Sequence, residues 1–425
     1  MTPAQSVKGT DTAMTSVADP ATPPRRATQA APVASTRDIR LDFFRGLAMF
    51  IILCAHTPNN FFTSWIPARF GFSDATEIFV FCSGMASAIA FGRSFDRAGW
   101  RLGTGRVAFR VWQVYWAHIG MFFAIAALLA AFDHYGNFED PYIGTLNLWA
   151  FFEDPGPLLV GLFTLTYVPN YFDILPMYLV ILATMPLMMA LSRVGLWAVA
   201  GAVGLIWIFA QGALLDTLGL GALHLAFPAE PWSDRTWFFN PFGWQLVFFT
   251  GFAFMRGWLP KPPVTTPLVV VAAIIVVAIV PLSHVGMREI FGPYAPGIRE
   301  SIVEWRIANQ GWFFKSDFGL LRYVHFLALA YLCWVAAGDG GARMDAGRLE
   351  SFVSDAVVPD EGVREGEDLF GVGGVGERLL VAGVRGREHQ FAAGAPRRTS
   401  ARFEHASVGQ RDIGVRHYEK RTCSR

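Results

Sequence analysis

Arg45 and His56 stand inside an otherwise apolar stretch, RDIRLDFFRGLAMFIILCAH, spanning residues 37–56. An arginine offers a permanent planar fork of donors for a phosphate or carboxylate. A histidine exchanges its proton near neutral pH. Eleven positions separate the two. In a helix that is a rotation of about 1100°, roughly 20° from three full turns. Both side chains therefore share one face, about 16.5 Å apart along the axis. Ionisable groups inside a membrane span are costly and usually face a polar interior. The geometry suits an elongated substrate lying along the helix, its anionic end on Arg45 and its reacting end near a base, His56. The plainer reading is that Arg45 snorkels to one interface and His56 marks the far end of the helix.

Other segments carry further candidates. Asp74 and Glu77 have the Asp-x-x-Glu spacing of a capping box at a helix start. In a functional reading Glu77 faces the same cavity and orients His56 or a substrate hydroxyl. Ser83, deeper in that helix, is a candidate donor to a developing oxyanion. Gly84 and Ala88 form a small-xxx-small pair suited to helix packing. Arg322 and His325 are three residues apart, so they share a face and together suit an anionic donor group. Interface anchoring is the rival reading for Arg322. Arg110 and His118 lie within another apolar stretch, Asp173 reads equally as an N-cap, and Asn240 and Gln245 flank a further one. No G-x-S-x-G elbow is present, which leaves a serine-hydrolase acyl-enzyme without support. The four cysteines (Cys54, Cys82, Cys333, Cys423) form no CxxC pair, so neither a zinc site nor a disulfide framework is expected, and no bound metal.

The elements that must position these residues are membrane helices. Of the 425 residues 53% are hydrophobic and only 16% charged, against about 25% charged in soluble domains. The net charge of +1 argues against a nucleic-acid partner. Apolar runs near 41–58, 76–92, 107–132, 174–191, 195–215, 241–257, 266–282 and 320–337 predict eight spans. They lack the two-residue alternation of a barrel, so an all-α polytopic transmembrane helical bundle is expected, with the lipid bilayer as its solvent. Basic residues cluster in the N-terminal segment and at Arg93, Arg97, Arg101, Arg106, Arg193, Arg256 and Lys261. The 133–173 loop has none, which predicts a cytoplasmic N-terminus. Arg288, Arg299, Arg306 and Lys315 in the long 283–319 loop run against that pattern. Residues 1–36, rich in Ala, Thr and Pro, read as a disordered cytoplasmic segment without a cleaved signal peptide. From 338 to 425 the composition changes: all 14 Trp lie by position 334, and no span follows. Two readings fit this Gly/Arg-rich tail, a disordered cytoplasmic extension or the product of a reading-frame shift.

The arginine, ten-residue gap and histidine resemble the signature of integral-membrane acyltransferases that modify glycans. With FGFSDATEIFVFCSGMASAIAFGR (70–93), DILPMYLV (173–180), WFFNPFGWQLVFFTG (237–251) and LLRYVHFLALAYLCW (320–334), the chain resembles the OpgC family over roughly 37–337. That resemblance implies a bacterial inner-membrane enzyme that transfers a succinyl group from succinyl-CoA, or another acyl-CoA, to hydroxyls of a periplasmic glucan. It binds no separate cofactor. Family members have about ten spans, where this sequence shows eight. Acyl transfer needs a base and oxyanion stabilisation. His56 and Glu77 are the catalytic candidates, with Arg45, Ser83, Arg322 and His325 binding donor or substrate. The rival readings are an acetyltransferase of another surface glycan or lipid, and a transporter or remnant without chemistry. Nothing in the sequence decides between a monomer and a homo-oligomer.

Overall fold

The computed structural model describes residues 39–344, except 137, 139 and 145. Residues 1–36 and the tail beyond 344 fall outside the described residues. Among the described residues every regular element is helical, and the one extended pairing is an isolated antiparallel bridge between Pro228 and Thr236. The helices that build the interior are α1 (Ile39–His56), α2 (Ala75–Ser87), α3 (Arg93–Tyr135), α4 (Pro155–Thr164), α5 (Ile174–Leu191), α6 (Leu196–Phe209), α7 (Pro241–Arg256), α8 (Thr266–Ile279), α9 (Pro296–Ala308) and α10 (Leu320–Ala337).

Each of the eight apolar stretches is helical, and the bounds of α5 and α10 coincide with those expected. The count of full spans does not. Among the described residues three helical stretches are long and apolar enough to cross a bilayer: Ala75–Tyr135, Ile174–Leu191 and Leu320–Ala337. A fourth arises if Thr266–Leu282 and Gly286–Tyr294, bent by 52° where they meet, form one span. The reasons are local. Helix α1 has 18 residues but carries Arg40, Asp42 and Arg45. Helix α6 has 14 residues, about 21 Å of rise against a hydrocarbon core of about 30 Å. Residues 93–106, expected as a loop, continue the helical run from α2 through a π-turn at Ala88–Gly92, and the break falls at Gly99, where φ is +75°.

Helices α2 and α7 pack backbone to backbone. A Cβ on Gly84 would overlap the Phe248 carbonyl, and one on Gly251 would overlap that of Phe81. Gly84 thus serves packing, as its spacing from Ala88 suggests, and Ala88 is buried too. Around this contact Trp244, Val247, Phe248 and Phe252 join Met177, Ile181, Met185 and Met188 of α5 and Phe326 of α10 in the main core. A second cluster joins Ile119, Phe122 and Ala126 of α3 to Leu158 and Leu162 of α4 and to Tyr167, Phe172 and Trp237. Outside, Met49, Phe50 and Leu53 of α1, Trp197 of α6, and Val270, Val271, Ile274 and Val277 of α8 are exposed. A helical chain that turns rows of large apolar side chains outward while burying carboxylates and guanidinium groups is a membrane protein.

Candidate functional site

The segment Gly71–Glu77 and the first turns of α10 build a buried polar cluster. Asp74 is the N-cap of α2: its side chain accepts from the Thr76 amide (2.7 Å), and Glu77 accepts from the Asp74 amide (2.8 Å). The expected capping box is therefore present. Glu77 has a second partner. Its other oxygen accepts from Arg322 Nε (2.8 Å) and Arg322 Nη2 (2.5 Å), and the carboxylate is wholly buried. Arg322 is itself buried, so it is no interface anchor, and it also approaches Asp74 at 3.5 Å. Lys315 completes the group by pairing with Asp74 at 2.6 Å. Burial alone would raise the Asp74 carboxyl, but Lys315 and Arg322 together outweigh it and hold the group below the usual carboxylate range.

His325 sits one turn along α10 from Arg322. Its Nδ1 accepts from the Ser73 amide (3.3 Å) and lies 2.7 Å from the Ser73 hydroxyl. An amide N–H only donates, so Nδ1 carries the lone pair and Nε2 the proton. The ring lies flush on the chain at Gly71, where any Cβ would overlap it.

A short strap places Lys315 and the start of α10. Four consecutive carbonyls are each met by a donor from α6, α7 or their ends. Lys315 O accepts from Trp244 Nε1 (3.0 Å), Ser316 O from the Asn240 amide (3.0 Å), Asp317 O from Gln211 Nε2 (2.7 Å) and Phe318 O from Trp207 Nε1 (3.0 Å). Asn240 also caps α7 through the Phe242 amide and donates to Asp317 Oδ1 (3.1 Å), and Gln245 donates to Val203 O (2.8 Å). Both amide groups donate to the protein and are buried, while Gln245 Oε1 is left without a partner.

The α1 candidates stand apart from this cluster. Arg45 is half-buried, its charge reaches Cys82 on α2, and its Nε has no partner. His56 is exposed at the end of α1. Its Nδ1 meets Ile52 O at 2.8 Å, and its ring stands edge-on to Tyr171 with centroids 5.6 Å apart. A carbonyl only accepts, so here Nδ1 carries the proton and Nε2 the free lone pair. Glu77 does not orient His56, because Arg322 and the Asp74 amide take its oxygens. The Ser83 hydroxyl donates to Phe79 O in its own helix (2.8 Å).

The remaining candidates are dispersed. His118 is fully buried, and neither ring nitrogen has a partner. Arg110 is exposed and donates to Gln113 (3.3 Å). Asp173 stands at the N-cap position of α5, but its side chain accepts from the Phe238 amide (2.8 Å) and does not cap that helix. Burial pushes its carboxyl up to about 6. Ser73 and Lys315 are the partners that the sequence did not single out, and no local signal links them to residues more than 240 positions away. Among the described residues no group of His, Cys, Asp and Glu is placed to hold a metal.

The comparison with curated proteins found no match, nor did that with solved structures. A family model described as OpgC protein matches residues 37–354, well over half of the chain and all of the helices above. The chain belongs to the OpgC family.

Proposed function

We propose that this chain is a multi-pass inner-membrane O-acyltransferase that moves a succinyl or similar acyl group from acyl-CoA to hydroxyls of a periplasmic glucan. Membership of the OpgC family is the observation that carries this reading. The geometry supports it at three places. His56 offers an exposed Nε2 lone pair, with Nδ1 fixed by Ile52 O, which is what a general base for a hydroxyl requires. A groove of about 470 Å³ lined by Arg93, Arg97 and Arg106 suits the phosphates of a CoA donor. A cavity of about 130 Å³ between α1, α2 and α10 runs from Arg40 and Trp334 to Cys82 and Phe326, with apolar walls suited to the donor's thioester arm.

In this mechanism the acceptor oxygen attacks the thioester carbonyl carbon while His56 Nε2 takes the hydroxyl proton. The C–S bond breaks, and the leaving thiolate takes that proton back, giving a glycan ester and free CoA thiol. Arg45, on the same helix, holds the anionic part of the donor. Glu77, Arg322 and His325, buried together at the start of α10, shape the floor of the site. Ser83 enters as a donor only if its hydroxyl turns away from Phe79. The arginine-rich end of the helices faces the cytoplasm, and the end with His56 faces the periplasm, so all eight helical stretches traverse the bilayer or dip into it.

The test is the charge and mass of periplasmic glucans from a strain lacking its own succinylating protein and expressing this chain. The expected result is glucan heavier by whole succinyl groups, and its loss in His56→Ala at equal protein level. Unmodified glucan alongside well-folded wild-type protein would refute the reading.

A further inference from the structure

Four basic residues in 283–319 run against the charge pattern that orients the chain. Lys315 is accounted for by Asp74. Arg306 and Arg288 are not, and they converge with Arg69 on His284. Arg69, on the short helix Pro67–Phe70, donates from Nε to Thr63 O (3.2 Å). Its Nη1 faces both nitrogens of the His284 ring, at 3.1 and 3.4 Å. Arg306 of α9 lies over Phe313 (4.6 Å) and Phe72 (5.7 Å) and donates to Leu282 O (2.5 Å). Those two rings are themselves stacked, 4.8 Å apart and 7° from parallel. Arg288 is exposed, four positions after His284.

Arg69, Arg288 and Arg306 bring three positive charges to bear on His284 and Glu289 one negative, an excess of two. Among the described residues none of the three arginines has an ion pair. Arg69 and Arg306 are held instead by neutral carbonyls, an imidazole and aromatic faces, while Arg288 is exposed beside them. That fixes two of the three guanidinium groups without neutralising them and leaves further N–H donors open. Such a cradle is built for a multiply charged oxyanion.

We propose that Arg69, His284, Arg288 and Arg306 form a binding site for a phosphate group. A phosphate monoester carries about −1.5 to −2 at neutral pH, which matches the excess charge as a carboxylate does not. Arg306 is anchored on Leu282, and Leu282 also lines an open groove of about 430 Å³ with Ile298, Ile302 and Trp305. The phosphate therefore comes from a water-soluble ester or from a lipid whose chain lies in that groove. The site does not depend on acyl transfer, so it stands or falls separately from the proposed reaction.

The test uses the purified full chain in phosphate-free detergent buffer at constant ionic strength. Its thermal midpoint is followed against inorganic phosphate and, separately, against dihexanoyl phosphatidic acid. A saturable rise with phosphate is expected. Arg288→Gln, whose exposed side chain the fold does not use, weakens the apparent affinity at least about tenfold, as expected for a lost charge-assisted hydrogen bond. Arg69→Gln weakens it further, whereas Arg299→Gln, on α9 but outside the cluster, binds as wild type does. Tighter binding of the lipid, reversed by Ile302→Ser, identifies a lipid source. Equal affinity identifies a soluble one. No saturable response in wild type, or a response that neither Arg288→Gln nor Arg69→Gln changes, overturns the proposal.

Discussion

At the start of α10, His325 is buried, accepts at Nδ1 from Ser73 and lies beside an arginine already committed to Glu77. At the end of α1, His56 is exposed, donates from Nδ1 to Ile52 and leaves Nε2 open. The two imidazoles are opposite tautomers in opposite surroundings. The first belongs to a closed network in which nearly every polar atom is used, and such a network fixes structure. The second is held on one side and free on the other, the condition for taking a proton from an incoming hydroxyl. Arginines differ in the same way, since Arg322 is paired with Glu77 through Nε and Nη2 while Arg45 keeps an unpartnered Nε.

If that division is right, substitutions in the two regions separate activity from stability. The largest effect belongs to His56→Ala. Glucan acylation by membranes is expected to fall about 10²- to 10⁴-fold, the usual contribution of general-base catalysis, with the melting temperature in detergent unchanged. A variant that acylates normally breaks the comparison on the α1 side. Next comes Arg322→Met, which strands the buried Glu77 carboxylate. A loss of about 3–5 kcal/mol is expected in denaturant or thermal unfolding. Glu77→Leu in the same chain should return most of it, because the orphaned charge goes too.

Asp173 sharpens the comparison through pH. Its folded-state value, about 6, lies above the ordinary 3.8. The folded chain therefore prefers the protonated carboxyl. The stability this gives is complete below about pH 4 and is lost as pH rises through 6, a change on the order of 3 kcal/mol. Melting at pH 4 and pH 7 should show that trend in wild type and a flatter profile in Asp173→Asn. Ser83→Ala gives the smallest effect, within about 1 kcal/mol of stability, since its hydroxyl only supports its own helix. A drop in acylation without a change in melting would return Ser83 to the substrate side.

The helices were legible because apolar composition and length specify them locally, and α5 and α10 begin and end where their sequences change. The continuous run from α2 into α3, broken at Gly99, was not. Arg93, Arg97 and Arg101 suggest a polar loop, yet such residues are good helix formers, and only Gly99 interrupts them. The face shared by Arg45 and His56, like that of Arg322 and His325, follows from 3.6-residue periodicity. What each face meets does not. Glu77 and Arg322 are 245 positions apart, and their pairing depends on the glycine contact between α2 and α7 and on the strap before α10.

That strap at Lys315–Phe318 also decides which wall of the site can move. To swing α10 away from α2, four hydrogen bonds to Trp207, Gln211, Asn240 and Trp244 must break together, along with the Glu77–Arg322 pair. Helix α1 packs chiefly on α2, reaches the end of α10 through Arg40 Nη1 and Gly338 O at 3.4 Å, and turns Met49, Phe50 and Leu53 outward. In mechanical terms α10 is the frame of the cavity, held at its start by four hydrogen bonds and an ion pair, and α1, which carries Arg45 and His56, is the panel that leans on α2.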